Sequence, residues 1–335
     1  MTTIAPEPLT PEALSDKSSI QEQTPRAMSR TVTRGDKIFR SICAAAATVS
    51  LFIIGGTAIF LGVKSIPALQ ETGLKNFFTT SVWNPTVGEY GVLGLLIGTI
   101  IIASVALAVA VPLALGLALF INEYAPSRVR RFLTSSVDLL AAMPSIIFGM
   151  WGLFALQAPL SGVAAWFSVH LSALPFFRLS EADAPLVRSS FITGAVVALM
   201  IVPIITSVSR DVMAQCPRSQ CEAALGLGGS RWGMIKQVLL PFGRAGITGA
   251  VLLGFGRALG ETIAVALLIS FIVQANPLIL EQGGGSIASL IAIKFPEAQE
   301  IEISALIAAG LALFAMTLVV NLGAGAIVRR TQIAA

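Results

Sequence analysis

The sequence predicts an all-α, polytopic membrane protein with six transmembrane helices and one structured loop between the fourth and the fifth. Three observations predict it. Of 335 residues, 55% are hydrophobic and only 12% charged, against roughly 25% charged in a soluble domain. The mean hydropathy is +0.83, more apolar surface than a water-soluble fold of this size can bury. The apolar residues also gather into six runs, each long enough to cross about 30 Å of hydrocarbon as a helix rising about 1.5 Å per residue.

The same composition excludes several functions. A single histidine, His170, rules out a His-rich metal centre, and three cysteines, Cys43, Cys216 and Cys221, rule out a disulfide scaffold or a four-thiolate zinc site. No metal site is expected. No Gly-Lys-Ser/Thr phosphate loop is present, so the chain is not itself an ATPase. A net charge of +4 and a pI near 9.2 would suggest nucleic acid in a soluble protein. Here the basic residues flank apolar runs, which is a topological signal, and no nucleic-acid partner is expected.

Residues 1–34 are rich in Pro, Ser, Thr and Glu and too poor in apolar side chains to pack, so they are predicted to be a disordered tail. They are not a secretory signal, because the first apolar run begins only near Ile38. The six runs are predicted at 39–63, 92–121, 132–157, 189–209, 243–273 and 303–328. The second and fifth are long enough to tilt or to project from the bilayer. Pro112, Pro144 and Pro203 fall inside runs and are expected as kinks. Sixteen of the 22 Lys and Arg residues lie in or beside the N-terminal tail, 122–131, 210–242 and the C-terminal end. Five lie in the opposite loops, Lys64, Lys75, Arg178, Arg188 and Lys294, and Arg257 lies within a run. That asymmetry places both termini in the cytoplasm, where the cysteines are free thiols.

The loop 213–241 is too polar to span yet has helical grammar. Glu222-Ala-Ala-Leu favours a helix. Gly226, Gly228 and Gly229 can end it with a positive φ, and Ser230 can cap a second short helix from Arg231 to Leu240, before Pro241. Ala223, Ala224 and Leu227 would then be available for a groove in a partner. Glu222-Ala-Ala, three residues, Gly228, nine residues, Val238, one residue, Leu240-Pro241 resembles the EAA signature of the membrane subunits of ATP-binding-cassette (ABC) importers, with Val238 in place of the usual Ile. The resemblance implies the type I ABC importer permease fold, a six-helix permease domain over 35–330, and a coupling helix. It assigns docking on an ATP-hydrolysing subunit to Glu222, Ala223, Ala224, Gly228, Leu240 and Pro241.

The fifth run holds two charges, in Arg257-Ala-Leu-Gly-Glu261-Thr262. Read as one helix, residues four apart share a face. An ionised side chain at that depth costs at least about 2.5–3.5 kcal/mol, so mutual pairing is expected to compensate. Either the pair locks helices in register, or it serves an anion path. Arg offers a planar fork of donors to a tetrahedral oxyanion. HPO4(2−) and H2PO4(−) can donate a hydrogen bond to Glu261 whereas SO4(2−) cannot, and an unpaired buried acceptor costs about 1–3 kcal/mol. Thr262 adjoins Glu261 but points about 100° away on a helix. Ser145, after Pro144, would either aim its hydroxyl at the path or bond to its own helix. Gly283-Gly-Gly-Ser286 is expected to be a flexible turn.

Arg257-Ala-Leu-Gly-Glu261-Thr262, with Leu139-Leu-Ala-Ala-Met-Pro-Ser-Ile-Ile-Phe-Gly149, resembles the permease subunits of phosphate importers. The resemblance implies transport of inorganic phosphate past Arg257 and Glu261. It also implies a second permease subunit, a dimer of ATP-binding subunits holding ATP and Mg, a phosphate-binding protein and membrane lipid as partners, and no cofactor bound by this chain itself. From the residues alone, a permease for sulfate or molybdate, an ion-coupled carrier using Glu261 as a proton relay, and a membrane scaffold remain as alternatives.

Overall fold

The computed structural model describes residues 34–181 and 183–333, so nearly all of the predicted N-terminal tail lies outside the described residues. The chain divides into two units at Gly55/Gly56. The first, among described residues, is the apolar and exposed leading part of helix α1 (Arg34–Thr72). The second carries everything else. After α1 come a short helix α2 (Leu74–Thr79) and a two-stranded antiparallel hairpin, β1 (Trp83–Asn84) and β2 (Glu89–Tyr90). Then follow α3 (Leu93–Tyr124), α4 (Ser127–Ala141), α5 (Ser145–His170), α6 (Ser190–Ala214), α7 (Arg218–Gly226), α8 (Arg231–Leu259), α9 (Ile263–Leu268), α10 (Ile287–Lys294) and α11 (Glu300–Ile333). Among the described residues six of these, α1, α3, α5, α6, α8 and α11, are long and apolar enough to cross a membrane.

Helix α6 is the most buried span and forms the centre of the second unit. It packs on α3 and α8 through small residues, since helices in lipid associate by close backbone approach rather than by expelling water. On α3, Ala103, Ala106, Ala110 and Ala114 recur at helical spacing on one buried face, against Val197, Ile201 and Ile205 of α6 and Ala250 of α8. A Cβ added to Gly194 would stand 2.7 Å from Val105, and one added to Gly254 would stand 2.7 Å from Ile205. Each glycine therefore marks a place where two helices touch. The Thr206 hydroxyl crosses the contact to donate to the Ala114 carbonyl at 3.3 Å.

Prolines shape the spans by local repair. In α1, Pro67 interrupts the ladder, and the Ser304 hydroxyl of α11 inserts there. It accepts from the Ala68 N–H at 3.2 Å and donates to the Lys64 carbonyl at 2.7 Å. Three wide turns, Phe120–Tyr124, Gly152–Leu156 and Ile235–Leu239, close with bonds five residues apart. Each ends two or three residues before a proline, Pro126, Pro159 and Pro241, where an ordinary helical bond is lost. The hairpin is tied to α11 by the Trp83 indole, which donates to the buried Glu302 carboxylate at 3.0 Å.

Four expectations are corrected. The third span is not 132–157 but Ser145–His170, and residues 127–141 form the separate helix α4. Pro144 is the reason: it sits extended (φ −60°, ψ 139°) between the two helices rather than kinking one. Asp138 on α4 accepts from the Ser207 hydroxyl at 3.4 Å. The fifth span is not 243–273: Arg231–Leu259 is continuous, Pro241 lies within it, and it stops before Gly260. Gly283-Gly-Gly-Ser286 is buried, not a free turn. Ser286 and Ser289 form a reciprocal cap on α10, and Gly284 is bridged to Phe271.

Candidate functional site

Helix α8 ends where three residues in succession disfavour continuation. Gly260 leaves the helix at φ −91° and ψ 1°, and the Thr262 hydroxyl folds back to the Gly260 carbonyl at 3.0 Å. Glu261 then takes over as the cap of α9, its Oε1 accepting from the Ala264 N–H at 3.2 Å. A carboxylate there satisfies a donor that the short helix leaves open and meets the positive end of its dipoles. Glu261 is only 7% exposed. Its other oxygen makes no hydrogen bond among the described residues, and so remains an acceptor for a donor from outside the chain.

Arg257 stands in the last turn of α8, where the helix dipole favours a cation. Its side chain is exposed and lines a groove of about 630 Å³ with Ile204, Gly249, Leu252, Leu253, Gly256 and Asn321. Gly249 and Gly256 have open space where a side chain would stand, so the guanidinium can be approached from that side. The expected shared helical face and mutual pairing are corrected here. The helix break separates the two charges, and no ion pair joins Arg257 to Glu261. Glu261 is not a wall of the Arg257 groove. Asn321 was not singled out in the sequence, although a lone amide in the apolar run of α11 was a readable signal.

Ser145 opens α5, half-buried, directly after Pro144. The first turns of α5 pack on α9, and Gly149 makes this possible. A Cβ there would stand 3.0 Å from the Ala264 Cα, beside the residue that Glu261 caps. Phe148 joins Ala264 and Leu268 in the same buried cluster. The Pro-Ser segment and the charged break are therefore brought to one region, although no hydrogen bond links Ser145 to Arg257, Glu261 or Thr262. Irregular backbone at membrane depth persists only when buried in protein or lining a polar cavity.

At the far end of α8 the expected turn between two helices is present, but the second helix is not short: it runs from Arg231 through Pro241 to Leu259 as one span. After α7 the chain turns at Gly228, whose φ of +86° is a conformation that favours glycine. The Gly229 N–H returns to the Ala224 carbonyl at 3.2 Å, closing the turn. Ser230 caps α8 by accepting from the Gly233 N–H at 3.1 Å. Glu222 and Ala223 are exposed and Leu227 is 90% exposed. Ala224 and Leu240 instead pack inward on a cluster of Ala118, Met213, Met234, Ile235 and Leu239. Ala224 is thus not wholly available to a partner: it fastens α7 to the spans, while Ala223 and Leu227 face out. Pro241 is exposed.

Residues 110–333 match the family model described as the binding-protein-dependent transport system inner membrane component. Over 309 residues the chain is 40% identical to the phosphate transport system permease protein PstC of Mycobacterium leprae, covering 91% of this chain and 97% of that one. It is 39% identical over 302 residues to PstC 2 of Mycobacterium tuberculosis, covering 89% and 93%. It is 37% identical over 287 residues to PstC of Haemophilus influenzae, covering 85% and 90%. Among solved structures, a bacterial ABC transporter involved in the import of the acidic polysaccharide alginate superposes with a TM-score of 0.57 at 18% identity, covering 88% of this chain and 96% of that one. This second likeness concerns the fold alone. The chain is a multi-pass membrane protein that belongs to the binding-protein-dependent transport system inner membrane components and, among them, to the PstC family of phosphate transport system permeases.

Proposed function

We propose that this chain is the permease subunit of an ATP-driven importer of inorganic phosphate, forming the path with a second permease subunit. The observation that carries the reading is the interrupted fifth span. Among the described residues it leaves Arg257 without an ion-pair partner on an open groove and Glu261 buried at the break with one oxygen free. A guanidinium without a counter-ion at that depth is costly unless an anion or water meets it. Its fork of donors matches a tetrahedral oxyanion. Separated by the break, the two charges act in succession rather than as a pair. Arg257 draws the ion in, and Glu261 accepts a hydrogen bond from a protonated oxyanion passing the bend, with Ser145 and Thr262 near the same region. The names of the related proteins point to phosphate as that ion.

Both termini and helix α7 lie on the cytoplasmic side in this reading. There Glu222, Ala223, Gly228 and Leu227 meet a dimer of ATP-binding subunits, which hold ATP and Mg, with Leu240 and Pro241 supporting the turn. Chemical energy enters at α7 and reaches the charged break through α8, which is continuous from Arg231 to Leu259. A phosphate-binding protein delivers the ion on the opposite face. The test is radiolabelled phosphate uptake by proteoliposomes containing the whole complex. Uptake should require ATP and resist excess sulfate. Uptake driven by a proton gradient without ATP, or equal competition by sulfate, would overturn the reading.

A further inference from the structure

Cys216 and Cys221 meet at the root of α7. Cys216 follows the end of α6, its N–H bonded to the Met213 carbonyl at 3.1 Å. Pro217 then turns the chain, and Cys221 stands in the first turns of α7. The two sulfur atoms are 3.8 Å apart and share a thiol hydrogen bond. Both are free thiols, and both line a cleft of about 340 Å³ together with Arg130, Arg218, Glu222 and Arg231. Cys216 is 8% exposed and Cys221 is more open. We propose that these two cysteines are a dithiol modification site, oxidised to an intramolecular disulfide that fixes α7 against the end of α6 and arrests ATP hydrolysis by the assembled complex.

The chemistry balances with a low-molecular-weight disulfide such as oxidised glutathione. The thiolate of Cys221, the more accessible sulfur, attacks one sulfur of the reagent and releases one glutathione thiolate. The Cys216 thiolate then attacks the Cys221 sulfur of the mixed disulfide and releases the second. Two protein thiols are oxidised, one reagent disulfide is reduced, and two protons leave. Burial, together with the neighbouring Cys221, pushes the Cys216 thiol up to about 11, so it waits as the resolving sulfur rather than reacting first. Closing from 3.8 Å to a bond of about 2.05 Å joins residues on either side of the Pro217 turn. That turn is the bend by which α7 leaves the spans. The consequence for coupling rests on α7 being the docking helix; disulfide formation does not.

The test uses the purified complex carrying C43S, which removes the third cysteine. After oxidised glutathione, the peptide spanning 216–221 should be lighter by two hydrogens and both thiols should resist alkylation. ATP hydrolysis by the complex should fall to background and return with dithiothreitol. C221S should hydrolyse ATP at the reduced rate whether or not the oxidant is present; C216S, the more buried site, is the second variant. Failure to form the intramolecular bond would overturn the proposal, as would a disulfide that leaves hydrolysis unchanged. A reduced complex that hydrolyses ATP but imports no phosphate would contradict the proposed substrate alone and leave both readouts intact.

Discussion

Glu261 has two separable duties. Its Oε1 caps α9 through the Ala264 N–H, and its second oxygen is open. Glu261→Gln keeps a carbonyl for the cap but gains an amide that can donate to sulfate. Glu261→Ala loses the cap, which costs about 1 kcal/mol. Thermal unfolding in detergent should therefore separate the two, with the Gln variant melting as the unchanged protein does and the Ala variant lower. Sulfate should compete with phosphate uptake more strongly in the Gln variant; unchanged selectivity would remove Glu261 from ion choice. The sequence displayed both charges plainly, as two ionisable residues in an apolar run. It did not display the break between them. Glycine is ordinary in membrane helices, and the bonds that mark the break, Thr262 to the Gly260 carbonyl and Glu261 to the Ala264 N–H, show only in the folded chain.

The element most legible in advance was α7 with its turn, because cap chemistry is local. Glycine at a positive φ and serine before a helix each specify one backbone geometry from one residue. Gly228→Val forces a β-branched side chain to φ +86°, at a cost of roughly 1–2 kcal/mol. It should displace α7 and reduce recovery of the ATP-binding subunit with the permease, while the spans stay folded by circular dichroism. Glu222→Arg, on an exposed position, should release the partner without changing stability. Normal co-purification of both variants would refute docking through this turn. The third span was misplaced for the opposite reason. The run 132–157 is apolar on average, and only the extended Pro144 splits it into an amphipathic α4 and a membrane-long α5.

At the scale of the whole molecule, the count of six spans follows from length and hydropathy, but their packing does not. Which glycines touch a neighbour depends on partners far away in sequence. A Cβ on Gly98 of α3 would collide with the Gly285 carbonyl, whereas one on Gly116 of the same helix meets nothing within 4 Å. Gly98→Ala should therefore lower thermal stability and the yield of complex. Gly116→Ala should be neutral or raise stability by up to about 1 kcal/mol, the helix preference of alanine over glycine. Equal effects at both sites would contradict the packing described. The buried Gly283–Ser286 segment was missed for the same reason. Its composition reads as a turn, and the faces of α3 and α6 together with residues 269–272 make it part of the core.

In the proposed function an anion crosses because Arg257, without an ion-pair partner among the described residues, faces an open groove. The most direct measurement is ATP-driven uptake of radiolabelled phosphate by proteoliposomes containing the assembled complex, with Arg257→Gln compared against the unchanged chain. Phosphate should accumulate with arginine and not with glutamine, although the variant assembles and still retains its ATP-binding subunits. Uptake at the same rate with glutamine in that position would contradict it.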